Sequence, residues 1–412
     1  MKGVSVAFFY SDGTLHVGDA RASVTVDSIV GALDRPAYVY DLDDIALRFH
    51  AMNNAFAGAR HTIHYAMKAN SNAAILRHVC ALGAGVDTVS GGEIARALAA
   101  GVPADRIIFS GVAKTHQEIQ RALEAHIKQI NVESPQELQR IADIARQLGV
   151  VADVAFRLNP NVNPKTHPYI TTGFRDNKFG MDESFMPELR GILARESKWL
   201  RLRGFTMHIG SLLFDLTVIR EAIEKTIAVH ESFKAEGHPL DRLDIGGGLG
   251  VAYDTADTAR EFEMIAQYGR MAIDVTRGMN VELLCEPGRI FVARAGVLVG
   301  RVQYIKVTAQ KTFAILDTGM HHLVRPALYG SKHRILPLRQ GAGEKIIYDI
   351  VGPICESSDF LAKDVLLSQL KQGDLVAIAD AGAYGFTMAS QYNSHELPAE
   401  IAVAVGRAVV CD

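Results

Sequence analysis

Thr62-Ile63-His64-Tyr65-Ala66-Met67-Lys68-Ala69-Asn70 is an apolar, strand-like run that stops at a lysine. β-Branched and aromatic residues favour extended backbone, and the small Ala66 and Ala69 leave room around the Lys68 amine, with the Tyr65 hydroxyl nearby. An amine at the rim of a packed scaffold can be desolvated and used as a nucleophile, and Schiff-base chemistry is its obvious use. Taken alone, such a stretch more often ends in an ordinary solvated lysine. The surrounding chain changes that balance.

Outward from this run the same texture repeats. Strand-like segments occur at 62–67, 85–89, 106–109, 127–131, 151–158, 203–209, 242–245 and 281–285, with helix-like stretches such as 92–100, 115–125 and 135–148 between them. Eight alternating β/α units predict a parallel (β/α)8 TIM-like barrel, whose reactive residues lie where strands end and whose phosphate sites follow strands seven and eight. The polar residues fall at those ends. Lys68 follows the first run, Ser90 the second, Ser110 the third, Asn131 and Glu133 the fourth, and Arg157 and Asn159 the fifth. His208 ends the sixth, Gly246-Gly247-Gly248-Leu249-Gly250 follows the seventh, and Glu286-Pro287-Gly288-Arg289 the eighth.

At 412 residues the chain exceeds the size of one ordinary core, so two domains are expected. Beyond Arg289, runs at 295–307, 312–316, 345–350, 374–379 and 400–405 read as strands of a second, β-rich domain. The strand-like first forty residues are expected to join it as an arm. The predicted division is therefore 1–40 for the arm, 41–290 for the barrel and 291–412 for the β-rich domain.

A formal charge of −3 with scattered basic residues argues against a nucleic-acid partner. No apolar window is long enough to span a bilayer. Cys80, Cys285, Cys355 and Cys411 are far apart and lack companion histidines at metal-ligand spacing, which suits a reduced, cytoplasmic protein without a metal site.

The glycine run 246–248 lets successive N–H groups converge on a phosphate, although a tight turn would also use glycines. Glu286 and Arg289 could form a structural ion pair. A carboxylate opposite Lys68 could instead hold a pyridine nitrogen protonated, completing an electron sink. His208 is either a satisfied core histidine or a flat ring for a cofactor to stack on. Arg325 and Tyr329 could clamp a carboxylate, or pack at the surface. Cys355, between Pro353 and the polar Glu356-Ser357-Ser358-Asp359, reads as a loop residue.

Taken together, these segments and several others resemble the barrel-type pyridoxal-phosphate decarboxylases, within them those acting on diamino acids. The others are Val89–Glu93, the stretch 166–173, Lys178-Phe179-Gly180, His208-Ile209-Gly210-Ser211 and Gly382-Ala383-Tyr384-Gly385-Phe386. The resemblance implies that Lys68 bonds the pyridoxal phosphate covalently, His208 stacks on its ring and Glu286 faces its nitrogen. Ser211, Gly247, Gly248, Gly288, Arg289 and Tyr384 would complete the cofactor site. Arg289, Arg325, Tyr329, Glu356 and Tyr384 would bind substrate, and Cys355 would deliver a proton after CO₂ leaves. It further implies a homodimer with shared active sites, Cys355 and Glu356 coming from the partner chain. The expected reaction is decarboxylation of meso-2,6-diaminopimelate to L-lysine.

Leu212 stands where the resembled family usually has glutamine, Thr318 where a small residue is common, and 394–398 replaces a more basic stretch. These departures leave open a decarboxylase of another diamino or carrier-bound amino acid. A racemase on the same scaffold would place arginine where Glu286 stands, and a catalytically dead regulatory homologue would lack Lys68 or Cys355.

Overall fold

The computed structural model describes residues 7–19, 21–162 and 178–410; the stretch 166–173 and Cys411 lie outside the described residues. The chain divides into two compact units. One comprises Phe49–Gly250 and Glu261–Gly288; the other comprises the chain up to Arg48, Val251–Arg260 and everything from Arg289 onward. The expected barrel bounds of 41–290 take in 41–48 and 251–260, which sort with the other unit, and Glu286 and Arg289 fall in different units.

The first unit is a closed barrel of parallel strands, His61–Ala66, Gly85–Thr88, Ile107–Phe109, Gln129–Val132, Ala152–Leu158, Leu200–Met207, Arg242–Asp244 and Glu282–Cys285. Closure brings the last strand beside the first, with Leu284 opposite Thr62. Most of these strand residues are buried, as expected when side chains fill the barrel interior on one face and meet helices on the other. Helix starts are set by side-chain caps. Ser90 accepts from the Glu93 N–H, Ser134 from the Glu137 N–H, and Thr115 forms a reciprocal box with Glu118. Ser90, one of the rim residues read from the sequence, is therefore a helix cap.

The second unit contains a large sheet in the order Phe360–Ser368, Lys345–Val351, Thr312–Leu316, Gly296–Val307, Ala37–Asp41, Ala399–Ala404 and Arg407–Val410, with Leu375–Ile378 also paired to Gly296–Val307. A separate three-stranded sheet, Phe8–Ser11, Thr14–Asp19 and Ala22–Thr25, contributes Leu15 and Val17 to the same apolar core as Val297, Val299, Ala377 and Ile401. Three strands escaped the sequence reading: Ile335–Pro337, Phe360–Ser368 and Arg407–Val410. The first is short and ends in proline. The second is an edge strand interrupted by Asp364 at φ 54°, which breaks the alternation that marks a strand. Thr318 is accommodated by Gly300, where an added Cβ would lie 2.5 Å from the Thr318 methyl.

Candidate active site

The strand ending at Ala66 passes into a single 3₁₀ turn, Met67–Ala69, which carries Lys68. Tyr65 is fully buried and its hydroxyl donates to the Asn70 carbonyl at 2.8 Å, so it braces the turn. Lys68 Nζ pairs with Asp87 Oδ2 at 2.9 Å; the lysine side chain remains one-third exposed while Asp87 is entirely buried. An accessible cation is thus held by an inaccessible anion. Gly288 explains the small residues beside the lysine, since a Cβ there would lie 3.0 Å from the methyls of both Ala66 and Ala69.

Lys68, His208, Glu286, Ser110, Arg157 and Phe179 line one cavity of about 300 Å³. Arg157 is tied to Glu133 at 2.6 Å, and Glu133 also accepts the Gly180 N–H at 2.7 Å. Asn131 donates to Ser110 Oγ at 3.0 Å. The Gly247 N–H donates to His208 Nδ1 at 3.3 Å, which makes that nitrogen an acceptor. Burial first, then the charges of Lys68 and Arg157, hold the His208 pKa well below its ordinary value, so its ring is neutral.

The turn after the seventh strand is built against the sixth and eighth. Gly248 has φ 104°, and a Cβ on it would lie 2.2 Å from the Gly210 carbonyl; one on Gly247 would lie 2.1 Å from that of Glu286. No other residue type fits either place. The Leu213 N–H donates to Gly248 O and the Gly250 N–H to Leu213 O, both at 2.9 Å, bringing the loop that begins at Ser211 beside the glycines.

Three buried carboxylate oxygens around this cavity, Asp87 Oδ1, Asp244 Oδ2 and Glu286 Oε1, have no hydrogen-bond partner among the described residues. Glu286 is pushed well above the usual carboxylate range by burial and by the charges of Asp244 and Asp87, and it donates a hydrogen bond to Asp244. Asp244 is raised to about 6, again mainly by burial. A cationic, flat heteroaromatic group with a phosphate tail fits these features: an orphan acceptor for a ring N–H, a neutral ring to stack on, and a glycine cradle.

The raised Glu286 carboxyl has a measurable consequence. In cofactor-free protein, burial and the neighbouring acids make folded Glu286 hold its proton to higher pH than the unfolded chain, which gives it up near the ordinary carboxylate pKa. Stability from this group is therefore present at low pH and lost as pH rises toward its folded value. Glutamine cannot ionise and shows no such loss. Cofactor-free Glu286→Gln is expected to melt a few degrees above cofactor-free wild type at pH 8, with the gap closing toward pH 5. A gap that is constant with pH would show that Glu286 is ionised in the fold.

The remaining expected residues stand on the β-rich unit in two places. Arg289 and Arg325 gather with Tyr384 around Tyr253: the Arg289 guanidinium lies 4.7 Å from the Tyr384 ring centre and that of Arg325 4.6 Å from the Tyr253 ring centre. Tyr329 ends the short helix Arg325–Tyr329 and contributes to the field at both arginines. Arg325 is 2% exposed, no carboxylate among the described residues pairs with it, and its Nε has no hydrogen-bond partner. Tyr384 adopts φ 55°, backbone strain of the kind that clusters at ligand sites. Cys355 and Glu356 occupy a separate turn and are exposed, with Glu356 Oε1 accepting from the Tyr392 hydroxyl at 2.6 Å. Asp359 holds this turn by accepting the Ile354 N–H at 2.7 Å and the Met320 N–H at 2.6 Å.

Sequence reasoning missed Asp87 and Tyr253. An acid inside a strand-like run was an available signal for Asp87. Tyr253 gave none, because its partners are remote in sequence.

A parallel barrel with a strand-end lysine held by a buried acid, a glycine cradle and a buried glutamate suits a pyridoxal-phosphate enzyme. The pyridoxal-binding domain of the pyridoxal-dependent decarboxylases matches residues 42–293, and the chain belongs to that family. It is 45% identical to diaminopimelate decarboxylase of Vibrio cholerae, across 89% of this chain and 87% of that one. With diaminopimelate decarboxylase of Aquifex aeolicus the identity is 40%, across 96% and 92%. Its fold matches the crystal structure of diaminopimelate decarboxylase from Helicobacter pylori complexed with L-lysine, with a TM-score of 0.88 at 42% identity, across 93% and 95% of the two chains.

Proposed function

We propose that the protein decarboxylates meso-2,6-diaminopimelate to L-lysine and CO₂. The observation that carries this substrate is Arg325, a buried guanidinium with an unsatisfied Nε and, among the described residues, no carboxylate partner, in a chain whose relatives are diaminopimelate decarboxylases. Bound pyridoxal phosphate supplies the electron sink for the pair left when CO₂ departs.

The chain's own residues do the rest. Lys68 anchors the cofactor, and Asp87 orients its amine until it bonds. Glu286 would hold a proton at the pyridine nitrogen, His208 would offer a neutral face to the ring, and the N–H groups around Gly247 and Gly248 would receive the phosphate, with Ser211, Gly288, Arg289 and Tyr384 completing the cofactor site. Arg325 with Arg289, Tyr329 and Tyr384 takes the distal carboxylate, and Glu356 takes the distal ammonium. Cys355 protonates the carbon that lost CO₂. Family likeness and the exposed position of Cys355 and Glu356 support a homodimer in which these two residues serve a partner chain's site. The cysteine pattern supports a cytoplasmic location.

Purified holoenzyme is expected to release CO₂ from meso-diaminopimelate with kcat/KM roughly 10³-fold or more above that for lysine, ornithine or arginine, because an Arg325 left unpaired in the complex is costly. Carboxynorspermidine belongs in the same panel as the test for other substrates of the fold. Preference for a substrate without a distal carboxylate overturns the assignment.

A further inference from the structure

Two guanidinium groups converge on one phenol in the β-rich unit. Arg289 Nη1 donates to the Tyr253 hydroxyl oxygen at 2.7 Å, and its guanidinium lies 5.8 Å from the centre of the same ring. The Arg325 guanidinium lies 4.6 Å from that ring, while its Nη2 donates to Ser331 Oγ at 3.1 Å. Tyr253 itself is 8% exposed.

Two like charges at one buried ring repel, and burial opposes both. At Arg289 the tyrosines outweigh burial and the pKa ends above its ordinary value. At Arg325 burial prevails, with the Arg289 charge adding to it, and the pKa ends below. Tyr253 meets each cation differently, with its oxygen as a hydrogen-bond acceptor for Arg289 and its ring for Arg325.

A third neighbour of the ring carries no charge. His333 packs edge-on against Tyr253 with centres 5.1 Å apart. Its Nδ1–H donates to the Ala379 carbonyl at 2.8 Å, and burial followed by the Arg325 charge lowers its pKa to about 3. The imidazole beside the ring is therefore neutral and adds no third charge to the two cations.

We propose that Tyr253 is a specificity-determining residue, which positions Arg289 and Arg325 as a pair for the substrate's distal carboxylate. This rests on the reading of Arg325 given above. Tyr253 touches neither the cofactor nor the reacting carbon in this proposal; it acts through the arginines.

L-Lysine and cadaverine separate the effect, since lysine as product retains the distal carboxylate and cadaverine lacks it. With holoenzyme, Tyr253→Phe keeps the ring and removes the acceptor, and Tyr253→Leu removes both. Calorimetry is expected to show lysine binding weakened about tenfold in Tyr253→Phe and further in Tyr253→Leu, with cadaverine binding within twofold of wild type. The KM for meso-diaminopimelate should rise more than kcat falls, with melting temperature and cofactor absorbance as controls for folding. Equal losses for lysine and cadaverine, or none in either variant, would overturn the proposal. Wild-type enzyme that binds the two equally overturns the Arg325 reading itself, a result visible before any variant is made.

Discussion

Lys68→Ala is expected to lose turnover by roughly 10⁴- to 10⁶-fold, the scale on which removal of a covalent catalytic group is measured. Among the described residues, the other buried rim lysine is already fully engaged. Lys114 is nearby in the chain's rim but its ammonium is saturated by Gly111 O and Asn131 O at 2.6 Å and by Glu137 at 2.7 Å, and its side chain is buried. Lys68 has an acidic partner at 2.9 Å and an exposed flank, the combination that leaves an amine both oriented and reachable. The variant should still bind pyridoxal phosphate noncovalently, since the glycine turn, His208 and Glu286 are untouched. Borohydride should no longer fix the cofactor to the chain, and peptide mapping decides the matter. A reduced adduct on another lysine, with activity retained, would remove Lys68 from its role.

Cys355→Ala should retain cofactor and slow product formation strongly, because the proton donor is lost while the electron sink is intact. The larger test combines the two defects. If Cys355 of one chain serves the barrel cavity of another, a mixed dimer of Lys68→Ala and Cys355→Ala chains contains one site with both defects and one with neither. Random subunit exchange then produces mixed dimers in half of the population and intact sites in about a quarter of the total. Activity should rise from the level of the separate variants to about a quarter of wild type as exchange proceeds. If exchange is demonstrated by differential tagging and activity stays flat, the two residues act within one chain and the shared site is wrong.

The barrel was legible because its information is local and repeated. Each strand is one contiguous strand-like run, and a turn or helix follows at a regular interval, so the strand ends could be named before any contact was known. Lys68, His208, the glycines at 246–248 and Glu286 follow from that pattern, since a parallel barrel gathers strand ends on one rim. The β-rich unit was less legible. Phe360–Ser368 pairs at an edge and is bent at Asp364, so its pattern is not that of a half-buried strand.

What the chain alone determined, then, is the set of groups that meet a cofactor: each is carried by the backbone segment next to it, and barrel closure needs only periodicity to place them. What tertiary structure decided is which charges answer one another. Glu286 and Arg289 are near neighbours in sequence and read as a possible ion pair, yet the glutamate hydrogen-bonds Asp244 and the arginine donates to Tyr253. Asp87 became the counter-ion of Lys68, and Tyr253 became the ring beneath two arginines, through contacts between segments distant in the chain. Charge pairing falls off steeply with distance and depends on burial, and neither quantity exists until the chain has folded.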